Sequence, residues 1–235
     1  MRVALAQVSK GRRGRALAPV TLTYSSGGVT AARVETQQRP AVLGLLASGR
    51  MAPSSGTVTI DGRPDRARLR RSVALVDAPA VCDPAPEVST LGIVEEELMF
   101  AGRAAHPRAA RRLLASLDLE QWARIPIGAV APTDRCRLLL ELAALRPGVE
   151  GVVLVSPDRH GGDPAGWWNA ALALARRDLA VLALVGDAAM AAIARTPVGG
   201  APDLFEASPE PAGQPTPEAS EPSVACAPAE AEALA

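Results

Sequence analysis

The chain has 235 residues, 48% of them hydrophobic, which is ample for a sizeable core in one large domain or two small ones. Lys plus Arg and Asp plus Glu are equal at 25 each, and aromatic residues make up 3%. No global field draws the chain to nucleic acid or to an anionic membrane, and few platforms exist for stacking bases or sugars. Cys82, Cys136 and Cys226 form neither a CxxC pair nor a disulfide pattern and suit a reducing cytoplasm. Gln7 and Lys10 break the first apolar stretch too early for a signal peptide, and no apolar run approaches a membrane span, so direct membrane insertion is excluded. Lys10 is the single lysine and His106 and His160 are the two histidines, which removes most chemistry that demands either residue.

In chain order, β-type runs bounded by turn residues come first: Arg2–Val8, Val20–Tyr24, Val29–Arg33, Thr57–Ile60 and Ser72–Val76. One helix interrupts them at Arg39–Ala47, followed by turn signals at Ser54-Ser55-Gly56 and Asp61-Gly62. A helical stretch spans Ser89–Trp122, with Leu91, Ile93, Val94, Leu98 and Met99, then Leu113, Leu114, Leu117 and Leu119, at helical spacing. Thereafter the pattern alternates: helix Asp134–Leu145, strand Val152–Val155, helix Ala165–Arg176, strand Ala180–Val185, helix Ala188–Ala194. The two late strands are continuous apolar runs, as in a parallel sheet buried on both faces. From about residue 199 to 235 the chain is rich in Pro, Ala and Glu and has no basic residue, and it reads as a disordered acidic tail. The division is a domain over 1–198, with a helical subdomain at about 86–128, and a tail over 199–235.

Several strings resemble the nucleotide-binding domain of ATP-binding cassette (ABC) transporters. Val20-Thr21-Leu22-Thr23 and Gly27-Gly28-Val29-Thr30 are similar to the strand pair that leads to the family's phosphate loop. Leu45-Leu46-Ala47, followed by Ser54-Ser55-Gly56-Thr57-Val58-Thr59-Ile60-Asp61-Gly62, looks like the family's helix end and succeeding strand. Pro126-Ile127-Gly128-Ala129-Val130 before the helix Arg135-Cys136-Arg137-Leu138, and later Val152-Val153-Leu154-Val155-Ser156-Pro157 before Gly162-Asp163-Pro164, lie where the family has its signature motif, then its Walker B strand and D-loop. The resemblance covers about residues 5 to 195. It implies an α/β, P-loop NTPase-like fold with a β-rich N-terminal part, a helical insertion and a mostly parallel core sheet.

The resemblance lies in scaffold strings and not in chemistry. A GxxxxGK[ST] loop needs glycines for backbone approach to phosphate, a lysine, and a hydroxyl on Mg²⁺; the corresponding residues here are Arg33, Gln38, Arg39 and Pro40. Val155 and Ser156 replace the Walker B Asp and Glu, Val130-Ala131-Pro132-Thr133-Asp134 replaces the signature, Ala78 takes the Q-loop position and Gly186 that of the switch histidine. Arg39, Gln38 and Asp163 remain as cofactor-binding residues by position, with any ATP held weakly. No catalytic residue and no metal ligand is assigned. Ser156, Asp158 and His160 have the residue types of a hydrolase triad but lack the GxSxG elbow, and they read as a polar loop. Arg66, Arg68, Arg70 and Arg71 read as a solvated basic face, and Glu95-Glu96-Glu97 as an exposed helix side. Trp167 and Trp168 read as packing residues.

The resemblance thus implies a degenerate ATP-binding subunit, cytoplasmic or peripheral at the inner membrane face. It would partner an ABC permease and a second, active ATPase subunit. The alternatives are a divergent working ATPase with Arg39 on the phosphates, or a soluble regulator without a transporter.

Overall fold

The computed structural model describes residues 1–195 and the backbone of 203–206. Two sheets form. The first joins β1 (Arg2–Lys10), β2 (Leu17–Ser25) and β4 (Ser55–Ile60), all antiparallel, in the order β2-β1-β4. Alternation turns Val3, Leu5 and Ile60 inward. The β1–β4 register shifts between Ala6 and Ser9, where Gln7 has φ 49° and Gly56 has φ 76°. A Cβ on Gly56 would lie 2.2 Å from the Gln7 carbonyl oxygen, so glycine is required at this bulge.

The second sheet holds β3 (Val29–Arg33), β5 (Val73–Val76), β6 (Gly151–Val155), β7 (Ala180–Val185) and β8 (Asp203–Glu206), in the order β5-β6-β7-β3-β8. All its pairings are parallel. Every residue of β6 and β7 is buried, as their apolar runs predict. Alternate side chains divide between two cores. Val152, Leu154, Val181 and Ala183 face a layer built from α3 (Thr90–Phe100), α4 (Pro107–Ser116), α5 (Pro132–Ala144), α6 (Pro164–Ala175) and α7 (Asp187–Ala194). Val153, Val155, Leu182 and Leu184 face the antiparallel sheet, α1 (Pro40–Ala47) and α2 (Arg66–Ser72). Trp167 and Trp168 are buried in the first core with their rings edge to face, centroids 6.1 Å apart. Gly44 lets α1 lie close to the sheet, since a Cβ there would come 2.9 Å from Val155 Cγ2.

Three expectations change. The single helical stretch over Ser89–Trp122 is two helices, α3 capped by Ser89 and α4 capped by the His106 ring, with Gly102 at positive φ and Pro107 at the restart. Arg66–Ser72 is a helix, so the strand expected from Ser72 begins at Val73. Asp65 accepts from the Arg68 N–H at 2.8 Å and caps the helix, while Leu69 anchors it in the core. The assigned tail contains β8, which pairs with β3 from Thr30↔Asp203 to Arg33↔Glu206. Asp203–Glu206 therefore lie in the parallel sheet, and the expectation of a disordered tail is corrected at those four residues; the rest of that call lies outside the described residues.

Candidate functional site

In a parallel sheet, ligands bind beyond the carboxyl ends of the strands, at the crevice where chain connections diverge. Here the chain leaves β3 toward β5 on one side and leaves β7 toward β8 on the other, so the crevice lies between β3 and β7. The loops after β3, β5, β6 and β7 form its surroundings, and they carry two linked sets of charges.

At the crevice itself the chain turns tightly after β3. The Val34 N–H donates to the Val185 carbonyl at 2.8 Å, extending the ladder by one residue. Glu35 then begins a 3-10 turn, Thr36–Gln38, and forms a reciprocal capping box with Gln38, whose Oε1 accepts the Glu35 N–H at 2.8 Å. The Glu35 carboxylate reaches across to β7, where Oε1 accepts the N–H of Asp187 at 2.7 Å. Asp187 opens α7, whose N-cap Gly186 has no side chain to satisfy that end. Asp158 Oδ2 accepts the Gly186 N–H at 3.2 Å, and Arg33 Nε lies 3.1 Å from Asp187 Oδ1. A Cβ on Gly186 would sit 3.0 Å from Asp158 Oδ2 and 3.2 Å from Glu35 Oε1, so a side chain there would press both carboxylates back by a few tenths of an ångström. Arg39 follows the turn in left-handed conformation, φ 52°, and is exposed, and Pro40 starts α1.

Beside the crevice, beyond β5 and β6, Asp77 is fully buried at φ 56°. Its Oδ1 accepts from Arg135 Nη2 of α5 at 2.7 Å and from Arg159 Nη2 at 3.0 Å, and Arg159 also donates to the Asp77 carbonyl. Its Oδ2 lies 2.7 Å from His160 Nε2, which is 3.3 Å from Arg135 Nε. A guanidinium only donates and a carboxylate only accepts, so the shorter contact assigns the proton on Nε2 to the bond with Asp77. Burial alone would raise the Asp77 carboxyl. The His160 hydrogen bond and the Arg135 and Arg159 charges outweigh it and hold the group below its ordinary 3.8. Arg135 Nη1 also donates to the Ile127 carbonyl at 3.2 Å, so the cluster joins β5, the turn after β6 and the start of α5. Cys136, next along α5, is buried and its thiol is pushed up to about 12, which keeps it protonated and inert.

A cavity of about 550 Å³ opens between the β5–α3 loop, α3 and α5. Val81, Val88 and Phe100 line it, and Met99, the residue before Phe100 in α3, is exposed as well. These four are the exposed large apolar side chains among the described residues, Met99 at 60% and Phe100 at 56%. Glu97 holds Arg146 through both oxygens at 2.7 and 2.8 Å, and the Arg146 guanidinium lies 5.6 Å from the Phe100 ring centre. The expectation of one exposed acidic side on α3 is corrected: only Glu96 is exposed, because Glu97 is engaged and Glu95 Oε1 is buried.

Gln38 and Arg39 are neighbours at the β3–α1 turn, whereas Asp163 caps α6 by accepting the Ala165 N–H at 2.9 Å. Ala78 and Val155 are buried. Ser156, Asp158 and His160 do not assemble as a triad, since His160 turns to Asp77 and Asp158 to Gly186. Motif reading missed Glu35, Asp77, Arg135 and Arg159. Asp77 and its partners are 58 to 83 residues apart, beyond any local pattern. Glu35 did have a signal, the Glu-x-x-Gln spacing of a turn cap.

The sequence matches no protein-family model and no curated protein. Solved structures do match. A putative ABC transporter ATP-binding protein from Pyrococcus furiosus superposes with a TM-score of 0.61 at 14% identity, over 88% of this chain and 98% of that one. A nucleotide-free ATP-binding cassette from an ABC transporter gives 0.62 at 14% identity, over 88% of each chain. A part of the ABC transporter complex CbiONQ, from Clostridium perfringens, gives 0.54 at 15% identity, over 78% of this chain and 77% of that one. The antiparallel sheet, parallel sheet and intervening helices thus make up an ABC ATPase-like fold.

Proposed function

We propose that the protein is a non-hydrolysing ATP-binding-subunit homologue that serves as a structural or regulatory partner of a membrane permease, with hydrolysis left to another subunit. The observation that carries the reading is the Glu35 carboxylate bound to the first N–H of α7 across the β3–β7 crevice. A nucleotide phosphate and its Mg²⁺ do not fit the residues present. Three N–H groups of the turn after β3 are spent internally, Glu35 to Gln38 Oε1, Gln38 to the Glu35 carbonyl and Arg39 to the Thr36 carbonyl. The nearest carboxylates, Glu35, Asp158 and Asp187, would repel a triphosphate. Val155 and Pro40 bring no side-chain oxygen for a metal.

The partner side of the reading rests on the cavity beside α3, which Val81, Val88 and Phe100 line. No helix among the described residues is long and apolar enough to cross a membrane, so the membrane is met through that partner.

Turnover of ATP with Mg²⁺ tests the proposal. A positioned general base alone contributes about 10²- to 10⁴-fold, and charge stabilisation adds more. The purified protein is expected to release phosphate no faster than a heat-unfolded control. Measurable turnover that falls in Arg39→Ala or Asp163→Ala would contradict it.

A further inference from the structure

β5 ends the strand order β5-β6-β7-β3-β8, and Leu75 and Val76 of this edge strand line the cavity of about 550 Å³. An unpaired edge is open to strand addition. This one is occupied from within. The Val73 carbonyl accepts from Arg50 Nη1 at 2.7 Å, and the Cys82 thiol lies 3.5 Å from the Leu75 carbonyl oxygen. With those two carbonyls taken, what the cavity holds is decided by its side chains and not by a backbone ladder.

Val88, Ile93, Phe100 and Leu139 give the cavity apolar walls. Three of its acids are already answered, Asp77 by Arg135, Arg159 and His160, Asp83 by Arg159 at 3.8 Å, and Glu97 by Arg146. Glu96 is exposed and is answered by water. Arg50 differs from all of these. It is half-buried and forms no ion pair among the described residues; its contacts are two carbonyl oxygens, those of Val73 and of Ser48 at 3.2 Å, both through Nη1. Burial lowers its guanidinium from the ordinary value, the charges of Arg146 and Arg70 lower it further, and Cys82 and Tyr24 act the other way. A carboxylate beside Arg50 would relieve that cost, and apolar walls with one convergent charged group, in a volume between about 300 and 1,000 Å³, are the make-up of a small-molecule site.

We propose that this cavity binds a small amphipathic carboxylic acid, with its apolar body against Ile93, Phe100 and Leu139 and its carboxylate on Arg50. Val88 and Phe100 also belong to the surface assigned to the permease, so a bound acid would exclude that partner. The exclusion rests on the proposed function, whereas the binding is read on the purified protein alone, and the two fail separately.

Alkylation of Cys82 by iodoacetamide tests it, because Cys82 is exposed and lines the cavity whereas Cys136 is buried. The full chain carries Cys226→Ser, the probe is sodium octanoate, and octyl alcohol is its uncharged counterpart. Octanoate is expected to protect Cys82 saturably, with half its effect at about 1 mM. Octyl alcohol at the same concentration is expected to protect no more than about a tenth as well, since a hydrogen bond to a charged group is worth about tenfold or more. Arg50→Gln loses the advantage of the acid and Arg50→Lys keeps most of it, each judged as the fraction of its own alkylation prevented and beside a thermal melt. Should Arg50→Gln fail to fold, the comparison of the acid with the alcohol in the protein that keeps Arg50 decides alone. No protection by octanoate, equal protection by octyl alcohol, or an octanoate effect unchanged in folded Arg50→Gln would overturn the proposal. Loss of permease recovery in Arg50→Gln without any protection by octanoate would overturn it too, because the carboxylate would then belong to the partner's own chain.

Discussion

Replacing Asp77 by asparagine is expected to destabilise the protein by about 3–5 kcal/mol, the usual cost of removing one partner from a buried ion pair. Asp77 is wholly buried and Arg135 is 4% exposed, so the guanidinium would keep its charge with no carboxylate and no water to answer it. Arg159 and His160 are 24% and 22% exposed and can turn outward, which places most of the cost on Arg135. Urea unfolding with an unchanged slope and a lowered midpoint would report this loss. The pH dependence has a definite sign. The Asp77 carboxyl is held below its ordinary 3.8, so the native state binds its proton less readily than the unfolded chain does. Its contribution is complete above that ordinary value and is lost as pH falls through the lowered one. Asp77→Asn should therefore show a shallower loss of stability in acid than the parent protein, and an equally steep acid limb would contradict the role given to the carboxylate.

Phe100→Glu is expected to weaken association with a permease at least about 30-fold while leaving the domain folded. A central aromatic anchor contributes about 2 kcal/mol or more to an interface, and every 1.4 kcal/mol is tenfold. Phe100 is 56% exposed, and exposed substitutions of this kind alter stability by about 0.5 kcal/mol or less. The new carboxylate would also meet Arg146, which already lies over the ring. The measurement is recovery of the membrane subunit with tagged protein in mild detergent, beside a thermal melt of the variant. Full recovery of the permease with Phe100→Glu would remove this surface from the account.

The scaffold was legible because it depends on runs and periods. The apolar strings of β6 and β7 announce a parallel sheet buried on both faces, and Leu45-Leu46-Ala47 with Ser54 to Gly62 carries a helix, turn and strand in one stretch. Short elements were harder. The seven residues of α2 hold one buried anchor, Leu69, among four arginines, so charge masked the helix, although Asp65 signals its cap. The four residues of β8 are too few for any period, and only their pairing with β3 reveals them. The charged site was the least legible. A motif search asks what stands at the glycine and lysine positions, whereas Glu35 lies between them and acts on a loop 152 residues away. Asp77 likewise acquires its meaning from Arg135, Arg159 and His160, which only the folded chain brings together.

Calorimetric titration with ATP, with Mg²⁺ and then with EDTA, tests the central claim most directly. With Glu35 on the α7 amide and no side-chain oxygen from Val155 or Pro40, affinity is expected to be no tighter than about millimolar, some −4 kcal/mol, and indifferent to the metal. Micromolar binding abolished by EDTA would contradict the account, because it would require a metal-organised phosphate site at this crevice.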